Sequence, residues 1–511
     1  MRNRARRVKC GEEKPSCKRC IIAKRPCRGY IDLPEAEMKP SNPSSPDDDR
    51  QDWPCGQPCV AVSPAGRTAP REELRNFHYY HTEATAGAAG DINRTLWAIN
   101  FPQAAKLHPS LWHACNAVAA VDQTGRLRRA PNTDSTSLER FNVFALKQHS
   151  LAIEHVLNTT RKKTLDVIDM SSILATNLLL LGCAVHRGDM DVCRSHVRSG
   201  VQLIREWEFW KHACRPGGVN GVLPVSRILM CYVQTDALIK ASSPAVLASW
   251  HWENALHSLQ SRPFSSEYEV YLELEVMWNG LQDMFRCTFH TLDAPTRLKI
   301  TRRRKSLQES FAKWKTKESS IGSSVNLATE TKAIVDIRKG LINVLLDPDV
   351  NGLEKGWRAF EAQFEELLSL IESGPDLETQ DMGPTEVKFL SSAPTMAMTT
   401  SLQQFVKICG QPTLRRRTIA LLDKHAQPRG GKPSLGSLLI RGAEMVIQME
   451  EKVWSRAERD CECIPQKFVC DSHRVVDFDL QVDEDNIPIL LIRCVDEIMK
   501  HDAPRRIPMV V

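Results

Sequence analysis

Four cysteines near the amino terminus, Cys10, Cys17, Cys20 and Cys27, are spaced C-x6-C-x2-C-x6-C. Thiolates two residues apart grip one zinc ion, and the six-residue arms return more sulfur to the same place. Residues 1–30 also hold eleven lysines and arginines against only Glu12 and Glu13, a net charge of +9. That cationic setting lowers the cost of gathering negative thiolates and faces outward toward a polyanion. Pro15, in Glu12-Glu13-Lys14-Pro15, suits a turn between two short metal-bound arms. The chemistry expected of this block is metal-organised contact with phosphate. The rest of the chain carries 57 basic and 60 acidic side chains, so the +6 of the 511 residues is concentrated in its first thirty. A short basic block of this kind meets nucleic acid or an anionic surface.

The elements behind this block divide into two stretches. Residues 31–70 are punctuated by Pro34, Pro40, Pro43, Pro46, Pro54, Pro58, Pro64 and Pro70, with the acidic run Asp47-Asp48-Asp49. So many prolines oppose helix and sheet ladders, which predicts a disordered tether. From residue 71 to 511 the pattern is helix after helix. Leu138, Phe141, Phe144, Ala145, Leu151, Ala152 and Val156 form one helical stripe. Met170 to Val185 is apolar nearly all round and predicts a buried helix. Gly188-Asp189 then breaks the chain, with Asp189 as N-cap of a second helix running to Trp207, an αα-hairpin. Further helices are expected over residues 227–240, 272–289, 330–346, 353–372 and 435–456. Only residues 474–482 alternate like a strand. The expected fold is mostly α: an N-terminal module over 1–30, a Pro-rich linker over 31–70, and a large helical domain over 71–511 with a short extended segment near its end.

Other residues carry weaker signals. Cys461, Cys463 and Cys470, with His473 nearby, could make a second zinc site; reduced thiols in a loop are the favoured expectation. His78, His81, His108 and His113, beside Trp97 and Trp112, are expected to be packing or surface residues. Arg302-Arg303-Arg304-Lys305 and Arg415-Arg416-Arg417 are expected on solvated helix faces. The longest uncharged apolar run, Ile173 to Val185, is short for a membrane span, and no apolar stretch follows the basic start as in a secretory signal, so no membrane partner is expected. The common phosphate-loop, esterase and metalloprotease signatures are missing, and neither catalytic residues nor a cofactor other than zinc are expected.

Three strings together, Arg6-Arg7-Val8-Lys9-Cys10, Lys14-Pro15-Ser16-Cys17-Lys18-Arg19-Cys20 and Pro26-Cys27-Arg28-Gly29-Tyr30, resemble the fungal six-cysteine binuclear zinc cluster. The resemblance implies a module in which six thiolates hold two zinc ions and a helical arm reads CGG-type triplets in the major groove. It assigns Cys10, Cys17, Cys20 and Cys27 to the third to sixth ligands. Arg4, Arg6, Arg7, Lys9, Lys14, Lys18 and Arg19 fall to the DNA-binding set. Further segments resemble the helical regulatory domain of the same factors: Phe77-His78-Tyr79-Tyr80, Leu96-Trp97, the run from Pro109 to Ala120, and the hairpin at Gly188-Asp189-Met190. The resemblance thus implies a non-enzymatic nuclear factor that binds double-stranded DNA and the transcription machinery. Its output would be RNA polymerase II transcription, in many members of metabolic or secondary-metabolite genes.

One departure matters. The family pattern has two further cysteines as C-x2-C, the second seven positions before Cys10, where Asn3 stands. Two tetrahedral zinc ions need eight coordination slots, which six cysteines fill by bridging, whereas four cysteines serve at most one ion. Two explanations are open. An upstream segment lost from the gene model is favoured by the intact basic arm. The alternative is a degenerate cluster in a regulatory interaction protein that no longer binds DNA itself. No heptads follow the cluster, so a coiled-coil dimer is not expected, leaving a monomer or a homodimer through the helical body.

Overall fold

The computed structural model describes residues 2–3, 8–9, 69–85, 93, 95–129, 135–213, 222–241, 251–285, 293–320, 329–347, 360–373, 401–402, 405–406, 409, 411–425, 435–455, 463–464, 469–470, 473–482, 488–494, 497–498, 500 and 502–509. The chain divides into two units, Met1–Val60 and Ala61–Val511. In the first, the described residues form two short antiparallel strands, β1 (Arg2–Asn3) and β2 (Val8–Lys9), with Arg2 opposite Lys9 and Asn3 opposite Val8.

The second unit is mostly helical, as its apolar periodicity predicts. It opens with α1 (Arg71–Tyr79), which continues into a π-helical turn, Tyr80–Ala84. A second such turn, Leu96–Asn100, leads into α2 (Phe101–Ala105). Next come α3 (Pro109–Arg129) and α4 (Ser135–Thr160), and α3 packs along both α4 and α5 (Val167–Arg187). Pro109 at the first position suits α3, since its missing N–H has no partner there anyway. Ala114, Ala117, Ala119 and Ala120 of α3 are all buried, and their small side chains let neighbouring helices approach closely.

The expected hairpin is present. Asp166 caps α5 by accepting a hydrogen bond from the Asp169 N–H at 2.8 Å. Gly188 ends that helix with φ 73°, a left-handed value that favours glycine. Asp189 then caps α6 (Met190–Glu206), accepting from the Val192 N–H at 3.1 Å. The helix α5 is long and apolar enough to cross a membrane, but it lies mostly inside the core.

After α7 (Trp210–Ala213), α8 (Val225–Ala241) and α9 (Glu253–Leu259), a second central helix, α10 (Glu267–Phe285), packs on α8, on α11 (Ala294–Ser319) and on α12 (Thr329–Leu345). The remaining helices are α13 (Glu361–Ser373), α14 (Pro412–His425) and α15 (Leu435–Ser455). The long helix α11 was not expected from the sequence. Its buried side chains Ile300, Leu307, Phe311 and Trp314 form a thin stripe among charged neighbours, too sparse to stand out.

The single expected extended segment is one of three strands. β3 (Val475–Val482), β4 (Pro488–Cys494) and β5 (Arg505–Pro508) form an antiparallel sheet in that order. Val482 lies opposite Pro488, Leu480 opposite Leu490, and Ile492 opposite Arg505, with an irregularity between Val475 and Asp477. The helix α15 packs against β3.

Candidate functional site

The zinc-ligand candidates Cys10, Cys17, Cys20 and Cys27 lie outside the described residues, as do Arg4, Arg6, Arg7, Lys14, Lys18 and Arg19 and all but the last two residues of the Pro-rich stretch. Of the DNA-binding set only Lys9 is described, on β2. The donor chemistry still bears on the metal. Four thiolates are the number that one tetrahedral zinc takes.

In the helical unit, polar side chains near the start of the body tie helices together. Glu73 of α1 is buried and accepts from Trp112 Nε1 at 2.8 Å and from Gln148 Nε2 at 3.0 Å. Gln148 Oε1 in turn meets His113 Nδ1 at 2.7 Å. Phe77 stacks on Trp112 with ring centroids 4.4 Å apart. The Tyr79 hydroxyl donates to Asp122 Oδ2 at 2.6 Å, and Arg126 Nε reaches the same oxygen at 3.0 Å. Burial and the neighbouring carboxylate push the Tyr79 hydroxyl far up, so it stays a donor. His78 and His81 are exposed, while Trp97 and Trp112 are core residues, in line with the packing and surface roles expected.

The basic runs divide. Arg302 and Lys305 of α11 are exposed, as a solvated face requires, and Arg303 and Arg304 are half-buried. In the run Arg415-Arg416-Arg417, Arg416 is exposed as expected and Arg417 is half-buried, whereas Arg415 departs from the expectation. Arg415 is 2% exposed; its Nη1 binds Glu450 Oε2 at 2.6 Å and its Nε donates to the Cys409 carbonyl at 2.8 Å. Arg416 pairs with Glu451, and Arg417 bridges Glu365 and Glu372. A buried guanidinium is tolerable only when a carboxylate meets it, as Glu450 of α15 meets Arg415, while the pairs of Arg416 and Arg417 with α15 and α13 lie nearer solvent.

Among the described residues, metal-ligating side chains cluster near the C-terminal sheet. Cys463 Sγ lies 3.6 Å from His473 Nδ1, and Cys470 Sγ lies 3.2 Å from the same nitrogen. All three ligating atoms fall within 4.8 Å of one another. The His473 and Arg474 N–H groups both donate to the Cys470 carbonyl, at 3.1 and 2.9 Å, so a tight turn carries the imidazole back onto the thiol. Cys461 lies outside the described residues. Burial pushes Cys193, Cys409 and Cys494 up to about 11 and Cys115 and Cys183 up as well, which keeps them protonated and inert.

Residues 77–214 match the fungal specific transcription factor domain. The match runs from within α1 to just beyond α7 and takes in Trp112, His113 and Gln148, though not their partner Glu73, and the α5–α6 hairpin. It supports a fungal transcription regulator. No curated protein and no solved structure matches the chain.

Proposed function

We propose that this chain is a zinc-dependent, sequence-specific DNA-binding transcription factor of the fungal binuclear cluster type, acting in the nucleus on RNA polymerase II genes. One observation carries the reading: a cysteine block of net charge +9 over residues 1–30 precedes a region matching the fungal specific transcription factor domain. Zinc supplies the crosslink that folds a short basic segment with too little apolar surface for a core of its own. Cys10, Cys17, Cys20 and Cys27 hold it as thiolates. Arg6, Arg7 and Lys9 meet bases and phosphates at CGG-type triplets, and Arg4, Lys14, Lys18 and Arg19 add phosphate contacts. The helical body sets the output by binding the transcription machinery, so the protein acts by binding and not by catalysis.

The cysteine count favours a second reading, a regulatory interaction protein whose cluster is degenerate: four of the pattern's six cysteines stand in this chain. A gel-shift assay with the purified full chain and a CGG-containing duplex separates the two. The first reading expects a shift that chelation abolishes, that Cys17→Ser abolishes, and that a scrambled duplex fails to give. A chain that is folded and regulates a reporter, yet shifts no duplex with or without zinc, belongs to the second.

A further inference from the structure

Cys463, Cys470 and His473 bring two thiols and an imidazole together far along the chain from residues 1–30. Around a tetrahedral zinc with bonds of about 2.3 Å to sulfur and about 2.0 Å to nitrogen, a sulfur–nitrogen edge is about 3.5 Å. The observed separations of 3.6 and 3.2 Å lie on either side of that edge. We propose that these three side chains hold a zinc ion that staples the segment after α15 to the entrance of β3.

The surroundings fit this use. The Cys470 N–H donates to Cys463 Sγ at 3.2 Å, a bond that orients the sulfur. Cys470 is 8% exposed, while Cys463 and His473 are half-buried and leave the set open to solvent on one side. Two soft sulfurs with an imidazole select zinc over magnesium or calcium, which prefer oxygen. Binding releases the two thiol protons to solvent, and a water or another thiolate completes the tetrahedron. The site is also braced from behind. The Cys494 thiol of β4 reaches the His473 carbonyl at 3.8 Å, and Arg505 of β5 donates to that sulfur at 3.1 Å. Two residues after His473, the Val475 N–H donates to buried Glu450 of α15 at 2.9 Å. A metal here fixes where the chain leaves the helices and enters the sheet.

The inference is independent of the DNA-binding reading, and the experiment removes the N-terminal thiols to keep it so. The full chain carrying Cys10→Ser, Cys17→Ser, Cys20→Ser and Cys27→Ser is purified under reducing conditions. Its zinc is counted by mass spectrometry, and its cobalt-substituted form is examined by absorption. The expected result is one metal per chain. Its cobalt spectrum should show sulfur-to-cobalt charge transfer and the intense visible bands of a tetrahedral site. Adding Cys463→Ser, or separately His473→Ala, should remove most of the metal while far-ultraviolet circular dichroism stays helical. The cobalt spectrum of the four-serine chain counts thiolates without any change at the site, so the test survives a variant that fails to fold. A four-serine chain that binds no metal, or that forms a Cys463–Cys470 disulfide instead, overturns the proposal. So does metal retained equally in both added variants, or a cobalt spectrum without thiolate charge transfer.

Discussion

Two helices, α5 and α10, are each buried nearly all round, yet they accommodate most of their polar residues in different ways. In α5 the buried polar side chains are mainly hydroxyls that need little from outside. Thr176 Oγ1 donates to the Ser172 carbonyl at 2.7 Å and Ser172 Oγ to the Asp169 carbonyl at 2.9 Å, with Ser110 of α3 also 3.0 Å from Thr176. In α10 three of them are carboxylates, beside the buried amides Asn279 and Gln282, and each carboxylate has a cation from elsewhere in the chain. Glu269 meets Arg262 at 2.5 Å, Glu273 meets Lys317 of α11, and Glu275 meets Arg338 of α12 at 2.6 Å. Arg338 also lies over the Trp278 ring, 4.1 Å from its centroid, and reaches Ser401 Oγ at 3.0 Å. The lesson is one of specificity. Hydroxyls satisfied within their own helix let α5 pack against any apolar neighbour, whereas unpaired buried carboxylates are so costly that α10 accepts only helices bringing the matching cation.

The strongest way to break this contrast is Arg338→Met, which leaves Glu275 buried and uncompensated. Thermal or urea unfolding is expected to lose about 3–5 kcal/mol, and the double change Arg338→Met with Glu275→Leu should recover most of it. Equal losses in the single and double variants would mean that packing, not charge pairing, fixes α12 on α10. Next in size is Gly200→Ala on the α5 side, where a methyl group would strike the Tyr232 ring; the Tyr232 hydroxyl is itself held by the Leu174 carbonyl at 3.0 Å. Overpacking of this kind costs about 1–3 kcal/mol, measured the same way.

Smaller again is a pH effect confined to α10. Burial, only partly offset by Lys317, raises the Glu273 carboxyl from 4.5 to about 7. The folded state therefore binds more protons than the unfolded one between these values, and this group's contribution to stability falls as pH rises from about 4.5 to about 7. Glu273→Gln should flatten the stability profile across that window. An unchanged slope would show that Glu273 titrates as an ordinary carboxylate. The smallest effect is expected from Thr176→Val in α5, which removes a hydroxyl satisfied within its own helix and should cost about 1 kcal/mol or less in unfolding by denaturant. A loss as large as that of Arg338→Met would erase the distinction between the two helices.

What the sequence revealed follows from the range over which each feature is encoded. The α5–α6 hairpin is local: apolar periodicity defines both helices, Gly188 supplies the left-handed end, and Asp189 supplies the next cap. The buried ion pairs are not local. Glu275 and Arg338 stand 63 residues apart, and Arg415 and Glu450 stand 35 apart, so neither pairing can be seen in a window of sequence. That is why Arg415 resembled a solvated charge and proved to be core. In β4, Ile489-Leu490-Leu491-Ile492 has no alternation, and such a run fits a buried helix as well as a strand. β5 has only four residues. The C-terminal cluster was legible as residue types, but the turn that returns His473 Nδ1 to both sulfurs was not. The cysteines at residues 10–27 lie outside the described residues, so their expected metal role rests on composition and ligand spacing alone.

Salt dependence of binding tests the proposed DNA recognition by that block most directly. Fluorescence anisotropy would follow the zinc-loaded full chain on a CGG-containing duplex across a range of salt concentrations, with a scrambled duplex in parallel. The expected result is tighter binding to CGG at every salt. On both duplexes the affinity should fall steeply with salt, by about 0.9 logarithmic units per tenfold increase for each phosphate neutralised. Affinity that is flat with salt, or indifferent to both sequence and zinc, would contradict the central claim.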